Sequence, residues 1–256
     1  MGKTIAIIGG GISGIAAANI FQKNGHTVTI YEKHDRIGGV WAVSYPQVRL
    51  QNSWQQYGLA DFPWPFKPDL HPTGAQILRY MQEAVTQLNL DVRTSHEVIA
   101  MQERADGWDL QIKHPQGTEH ISVDYVVLAS GQYTEGKYRP QFPDQDRFQG
   151  KIVTERDIKD LDIFTNKRVV VVGFGKSALD MATFAAERGA EVQHIFREAR
   201  WTIPPKILGI HYSIPLFARF GSVMMTSWAH PSGLERFLHK RLSFVVAGFW
   251  KMLALV

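Results

Sequence analysis

Lys3-Thr4-Ile5-Ala6-Ile7-Ile8 runs directly into Gly9-Gly10-Gly11-Ile12-Ser13-Gly14, and this junction decides the fold. A nearly continuous β-branched and apolar run of that length reads as a parallel strand buried on both faces. Beyond the glycines, Ile12, Ala16, Ala17, Ile20 and Phe21 recur at helical spacing. Gly25 then supplies a stop, and His26-Thr27-Val28-Thr29-Ile30-Tyr31 a second strand. The result is a βαβ unit with a dinucleotide fingerprint. Gly9 allows the tight turn, Gly11 lets backbone approach a pyrophosphate, and Gly14 lets the helix pack against the strand. Amides of the first helical turn, which holds Ser13, face the phosphates. Glu32, at the tip of the second strand, is placed to accept hydrogen bonds from a ribose, and its charge repels a 2′-phosphate. FAD or NAD fits this loop and NADP does not.

The pattern occurs a second time. Arg168-Val169-Val170-Val171-Val172 is again a buried-strand run, followed by Gly173-Phe174-Gly175-Lys176-Ser177-Ala178 and by Met181, Ala182 and Ala185 at helical intervals. Ala178 replaces the third glycine, a tolerated variant of the fingerprint. Counted from Gly173 as Glu32 is counted from Gly9, the terminal acid is replaced by Phe196, and Arg197 follows it. Loss of a carboxylate and gain of a guanidinium suit a 2′-phosphate, which arginine binds in bidentate fashion. Gly173, Gly175, Lys176, Ser177 and Arg197 are therefore the candidate NADPH residues, with Arg200 as a helper and Lys176 adding positive potential. A nucleoside-triphosphatase P-loop would need glycine where Val170 stands, which removes that reading. Two dinucleotides on one chain suit a protein that passes electrons from a nicotinamide nucleotide to a flavin.

Composition narrows the chemistry. The 256 residues include no cysteine, so the dithiol of flavoprotein disulfide reductases and cysteine-ligated metal centres are both absent from this sequence. The histidines lack metal-binding spacing, and no Gly-x-Ser-x-Gly elbow is present. Net charge is +4 with both signs interspersed, which argues against nucleic acid as a partner.

Further motifs, in order along the chain, carry a family resemblance that extends from the start to about Pro205. Gly9 to Gly14, Glu32 with Gly38-Gly39-Val40-Trp41, Leu50-Gln51-Asn52-Ser53, Leu128-Ala129-Ser130-Gly131, Gly173 to Asp180, and Arg197 with Trp201 and Pro204 together resemble the flavin-containing and Baeyer-Villiger monooxygenases. The family's identifying motif starts well at Phe148 and Gly150. Thr154 then stands where it has histidine, Ile158 where it has an aromatic, and Lys176 where asparagine is usual. The resemblance implies FAD and NADPH as cofactors, with Gly39, Trp41 and Gly131 beside the flavin nucleotide. It implies Asn52 as the residue that hydrogen-bonds the flavin ring or an oxygen intermediate. It also implies a C4a-(hydro)peroxyflavin that passes one oxygen atom from dioxygen to a small nitrogen, sulfur or carbonyl substrate. Two alternatives stay open: a truncated or degenerate FAD/NADPH-binding protein without catalysis, and an NADPH oxidase releasing hydrogen peroxide.

The expected fold class is α/β. It comprises two Rossmann-like dinucleotide-binding domains with parallel sheets, residues 1–150 for FAD and 151–256, incomplete, for NADPH, and a helical C-terminal segment. The apolar positions Ile77, Leu78, Met81, Ala84, Val85 and Leu88 give an amphipathic helix. Val98–Met101, Trp108–Ile112 and His120–Val123 form a small β-meander on the FAD domain, and Tyr125–Ala129 returns as a buried strand. Tyr138 to Gly150 reads as a hinge, Asp180 as a brace for the second loop, and Phe62-Pro63-Trp64-Pro65-Phe66 as a packed surface loop. After Phe196 only turns around Pro204-Pro205 and apolar segments are found, so the sequence reads as an N-terminal portion of a longer enzyme. Met1-Gly2-Lys3 leads into the first strand with no signal peptide, and a cytoplasmic location is expected. The apolar tail, Leu234, Phe237, Leu238 and Leu242 to Trp250 behind His239-Lys240-Arg241, is a candidate for peripheral membrane contact or for burial against further chain.

Overall fold

The structure, a computed structural model, describes residues 2–132, 139–200, 202, 206–207, 209–217, 219–225 and 231–254. Tyr138, Trp201, Pro204 and Pro205, all named above, lie outside the described residues. The chain divides into two compact units, Met1–Ile195 and Phe196–Val256.

The first unit is built on a parallel sheet. Strands β1 (Thr4–Ile8) and β2 (Thr27–Tyr31) flank helix α1 (Ile12–Lys23) in sequence. Helix α2 (Gly74–Gln87) leads to β3 (Asp91–Arg93), and the antiparallel strands β4 (Glu97–Arg104), β5 (Gly107–His114) and β6 (Gly117–Val123) precede β7 (Tyr125–Leu128). The four parallel strands lie in the order β3-β2-β1-β7, with Ile5↔Val28 and Ile5↔Tyr125 in register on either side of β1. The expected meander is present as the sheet β4-β5-β6. Its Leu110, Ile112 and Val123 form a core with Ala6 and Tyr31 of the parallel sheet.

Helix α2 starts where its sequence permits. Thr73 Oγ1 accepts from the Gln76 amide at 3.2 Å while the Gln76 side chain accepts from the Thr73 amide at 3.0 Å, a reciprocal cap. Its apolar stripe buries Ile77, Tyr80, Met81 and Ala84 against β1, β2 and α1. The proline-aromatic stretch is a packed loop, as expected. Tyr80 Oη donates to the Phe62 carbonyl and accepts from the Leu59 amide, both at 2.8 Å, and Trp64 stacks on the Tyr80 ring at 4.3 Å.

Of the five apolar positions expected on α1, Ile12, Ala16, Ala17 and Phe21 pack against the core and Ile20 does not. Ile20 is 42% exposed, whereas Ile15 is fully buried and Asn19 nearly so. The cause is close seating of the helix at Gly14, which turns Ile15 and Ala18 inward. Asn19 is tolerated there because its side-chain amide donates to the Ala60 carbonyl at 3.2 Å.

A second parallel pair completes the unit: β8 (Arg168–Val172) and β9 (Glu191–Ile195), joined by helix α3 (Lys176–Glu187). Two strands expected to be buried are not. Leu128 of β7 is 65% exposed, and Val170 and Val172 of β8 are 54% and 58% exposed. The reason is topological: β7 is a sheet edge, and β8-β9 is a two-stranded sheet whose buried side chains face α3.

Asp124, in the turn between β6 and β7, ties that turn to β1. Its carboxylate accepts from the Thr4 amide and the Thr4 hydroxyl, both at 2.7 Å, and from Lys3 Nζ at 3.2 Å. These bonds, the Thr4 amide first, hold the carboxyl down to about 2 from its ordinary 3.8. A depressed carboxyl stabilises the fold above its ordinary value and loses that contribution as pH falls toward 2. Asp124→Asn should therefore flatten the decline of melting temperature between pH 4 and pH 2. An acid melting curve identical to the parent's would refute this.

The second unit is the expected helical C-terminal segment. A hairpin of β10 (Lys206–Ile207) and β11 (Ile210–His211) precedes α4 (Ser213–Phe217), α5 (Arg219–Met224), α6 (Gly233–Arg241) and α7 (Ser243–Ala254). Ser232 and Glu235 cap α6 reciprocally. His239 meets the Val223 carbonyl at 2.9 Å and Trp250 Nε1 donates to the Met224 carbonyl at 3.2 Å, so α6 and α7 both bond the end of α5. No helix among the described residues is long and apolar enough to cross a membrane.

Candidate functional site

The glycine positions of the first loop do what their spacing implies. Gly9 has φ +115°, and a Cβ there would run into the Ala129 carbonyl of the neighbouring strand end. At Gly14 a Cβ would overlap the Gly9 carbonyl, so only glycine lets α1 approach β1 this closely. Gly11 is different: its nearest neighbour on the Cβ side is the Gly39 Cα at 3.8 Å, leaving its surface open.

That opening is a cavity of about 290 Å³ at the carboxyl ends of the parallel strands, where ligands of such sheets bind. Gly9, Gly11 and Ser13 line its floor, Gly39 and Trp41 one wall, and Gly131 the far side with Ser130. Trp41 serves two ends, since it packs on the core and donates from Nε1 to Tyr57 Oη at 2.9 Å. Burial pushes the Tyr57 hydroxyl up to about 12, so it stays protonated.

Glu32 is 5% exposed, and each of its carboxylate oxygens accepts one hydrogen bond. Oε2 accepts from the Gly10 amide at 2.7 Å and Oε1 from the His34 amide at 2.9 Å. The carboxylate thus stitches the tip of β2 to the phosphate loop while still lining the cavity. These residues fit an adenine dinucleotide: a glycine floor that a Cβ would fill, first-turn amides, and a fixed carboxylate at the strand tip.

Sequence reasoning missed one wall. Tyr31, His34, His96, Glu97 and Val98 also line the cavity. His96 stacks on His114 of the meander with ring centroids 5.1 Å apart. No local pattern marks this wall: β3 pairs with β2, and the His96 amide just beyond it donates to the Glu32 carbonyl at 2.9 Å. Asn52 stands apart from the cavity lining; it is exposed, and its carbonyl meets the His71 ring at 3.2 Å.

The second loop has the same construction. Gly173 turns with φ +127° and its amide bonds the Ile195 carbonyl at 2.9 Å, as Gly9 bonds Tyr31. Gly175 caps α3, and its Cβ side is open. Lys176 does not stand free at this loop: its ammonium bonds Asp180 one turn along the helix. Asp180, expected as a brace, accepts from Tyr45 Oη at 2.8 Å. Ser177, the residue after Lys176, lies half-buried in the first turn of α3. Arg197 and Arg200 are exposed at the head of the second unit, Arg197 two residues beyond the end of β9. At the motif departures, Thr154 closes a turn on Asp157, with amide and hydroxyl at 2.8 and 3.0 Å from its carboxylate, and Ile158 is a buried core residue.

A parallel sheet with a glycine-floored cavity at its strand ends, followed by a second strand-loop-helix of the same design, defines a protein of the two-dinucleotide flavoprotein class. The chain belongs to the pyridine nucleotide-disulphide oxidoreductase family, whose sequence profile matches residues 6–212. Among its relatives, a probable flavin-containing monooxygenase 1 of Arabidopsis thaliana is 29% identical over 85% of this chain and 48% of its own. A flavin-containing monooxygenase from Stenotrophomonas maltophilia superimposes with a TM-score of 0.72 at 20% identity, covering 86% of this chain and 64% of that one. An oxidised steroid monooxygenase bound to NADP gives a TM-score of 0.61 at 28% identity, covering 79% and 40%. The chain spans about half the length of the curated relatives it matches.

Proposed function

We propose that this chain is the dinucleotide-binding part of an FAD-dependent, NADPH-using monooxygenase that inserts one oxygen atom of dioxygen into a small nitrogen, sulfur or carbonyl compound. The observation that carries the reading is the pairing of two loops of one design with opposite charge beyond their second strands. A fixed carboxylate, Glu32, closes the first, and a guanidinium, Arg197, follows the second. Kinship with flavin-containing monooxygenases supports the reaction class, and the NADP held by the steroid monooxygenase supports the nucleotide.

In this reading residues 1–150 hold FAD and 151–256 hold NADPH. Gly9, Gly11, Ser13 and Gly14 form the pyrophosphate cradle, Glu32 binds the adenosine ribose, and Gly39, Trp41 and Gly131 border the rest of the dinucleotide. Gly173, Gly175, Lys176 and Ser177 cradle the second pyrophosphate, and Arg197 takes the 2′-phosphate. Asn52 is the residue proposed to contact the flavin ring. FAD, when bound, supplies the hydride acceptor and the means of activating dioxygen. The chain's own part is to fix both nucleotides and keep water from the reacting atoms. The setting is cytoplasmic; peripheral membrane contact would use Leu234, Phe237 and Phe244, each more than half exposed at 67%, 54% and 70%.

The test is a flavin spectrum of the purified protein, followed by anaerobic addition of NADPH and then of oxygen, with hydrogen peroxide measured. Bleaching by NADPH and oxygenation of an added amine, sulfide or ketone is expected. Absence of bleaching indicates the non-catalytic binding protein, and stoichiometric peroxide with every substrate indicates the oxidase. Arg197→Ala should shift the preference for NADPH over NADH by about tenfold toward NADH, since a charge-assisted bond contributes about 1.5–3 kcal/mol. An unchanged ratio would remove Arg197 from the site.

A further inference from the structure

Tyr45 joins parts of the first unit that are far apart in sequence. Its ring, 6% exposed, is buried with Ile158, Leu161 and Met181 in the core around α3, while its hydroxyl donates to Asp180 across a separation of 135 residues. Just before Tyr45 in the chain lies the segment that walls the first cavity. The Gly38 amide donates to the Gly10 carbonyl of the first loop at 2.9 Å, Gly39 and Trp41 line the cavity, and Ser44 Oγ donates to the Trp41 carbonyl at 3.0 Å. A continuous path thus runs from the first glycine loop through residues 38–45 to Asp180 and on to Lys176, the residue after Gly175 of the second loop.

The path contains one exchangeable contact. Lys176 is a flexible cation whose side chain is 34% exposed, and beside it opens a cavity of about 290 Å³ lined by Gln47, Arg49, Thr73 and Phe184. A dinucleotide phosphate bound at the start of α3 would compete with Asp180 for that ammonium. Tyr45 cannot leave so easily. Burial first, then its bond to Asp180, pushes its hydroxyl well above the ordinary tyrosine range, so it remains a donor throughout the working pH range.

We propose that Lys176, Asp180 and Tyr45 couple the two glycine loops: phosphate at the second loop draws Lys176 off Asp180, and Asp180, left with the Tyr45 hydroxyl, grips the 38–45 segment that walls the first cavity. A hydrogen bond to a carboxylate that has lost its counter-ion is the stronger one, so the wall is held more firmly when the second loop is filled. By linkage each dinucleotide then tightens the other by the same factor. Lys176 and Asp180 sit one helical turn apart, and only the tertiary contact with Tyr45 makes the pair a coupling device rather than a surface ion pair.

This inference rests on the dinucleotide reading of both loops, and the experiment separates the two. The dissociation constant of FAD is measured by quenching of flavin fluorescence, without and with saturating NADP⁺, for the parent chain and for Tyr45→Phe and Lys176→Gln. In the parent, NADP⁺ should tighten FAD about fivefold or more, the lower end of ordinary coupling. In Tyr45→Phe the factor should fall to about one with both dinucleotides still bound. Lys176→Gln, which leaves the buried tyrosine untouched, removes the cation that competes for Asp180; without any NADP⁺ it should bind FAD as tightly as the NADP⁺-saturated parent, a readout independent of its own NADP⁺ affinity, and it decides the matter if the tyrosine variant does not fold. A parent factor of one, an undiminished factor in Tyr45→Phe, or a Lys176→Gln protein that binds FAD no more tightly than the NADP⁺-free parent overturns the coupling and leaves the functional reading standing. A parent that binds neither dinucleotide overturns both.

Discussion

Gly14→Ala should yield a protein with no bound flavin and a melting temperature lowered by about 6–12 °C. The added methyl has nowhere to go: its site overlaps the Gly9 carbonyl, a backbone atom at the turn between β1 and α1, and lies 3.3 Å from Ile7 Cγ2 in the sheet. The carbonyl belongs to the backbone and cannot swing aside, and the Ile7 side chain is fully buried in the core. The helix must retreat from the strand, which opens the floor of the cavity and loosens Ile15, a fully buried residue one position on. Overpacking of this kind costs about 3 kcal/mol, and each kcal/mol lowers the melting temperature of a chain this size by about 2–4 °C. Gly175→Ala is the informative control, because nothing lies within 4 Å of its Cβ position and its φ is −85°. That variant should melt with the parent. A Gly14→Ala protein that also melts with the parent and keeps its flavin would show that the first loop does not need its closest helix–strand contact.

Glu32→Ala is the second large effect. Removing the carboxylate leaves the Gly10 and His34 amides without their acceptor, two bonds of 2.7 and 2.9 Å at a site that is 5% exposed. It also removes the group proposed to hold the ribose. Loss of one charge-assisted bond to the ligand at about 1.5–3 kcal/mol corresponds to roughly tenfold to more than a hundredfold weaker FAD, and loosening of the loop adds to it. Equilibrium dialysis against FAD measures the loss directly. Glu32→Gln separates the two roles, since it keeps one acceptor oxygen for an amide while abolishing the charge. Its FAD affinity should fall between those of the parent and the alanine variant. An alanine variant with parental affinity would mean that Glu32 serves only the fold.

Gly14 and Glu32 are both legible in the amino-acid sequence. Glycine spacing, a buried strand on one side and helical periodicity on the other are local properties, and the strand tip follows by counting. The meander is equally legible, because Gly107 and Gly117 mark its turns with φ of +159° and +144° and short strands alternate between them. Less legible is the inward face of α1. Ile12, Ala16, Ala17 and Phe21 pack on the core as their spacing implies, but Ile20 is exposed while Ile15 and Ala18 are the buried residues, and Asn19 is buried because Ala60 offers a carbonyl. Burial of β7 and β8 is likewise an inference from apolar composition, which records what a strand can bury and not what is there to cover it.

By itself, then, the order of residues determined two strand-glycine-helix units, a carboxylate at the end of one and a guanidinium beyond the end of the other, because covalent spacing and backbone sterics decide these within a few tens of residues. Tertiary structure alone decided the rest. It brought His96 and Val98 to the wall of the first cavity, turned Glu32 onto two backbone amides, and set Tyr45 on Asp180 and Asp180 on Lys176. The Glu32–Gly10 and Tyr45–Asp180 contacts join residues 22 and 135 positions apart, and their geometry depends on how whole layers pack, information that no local pattern carries.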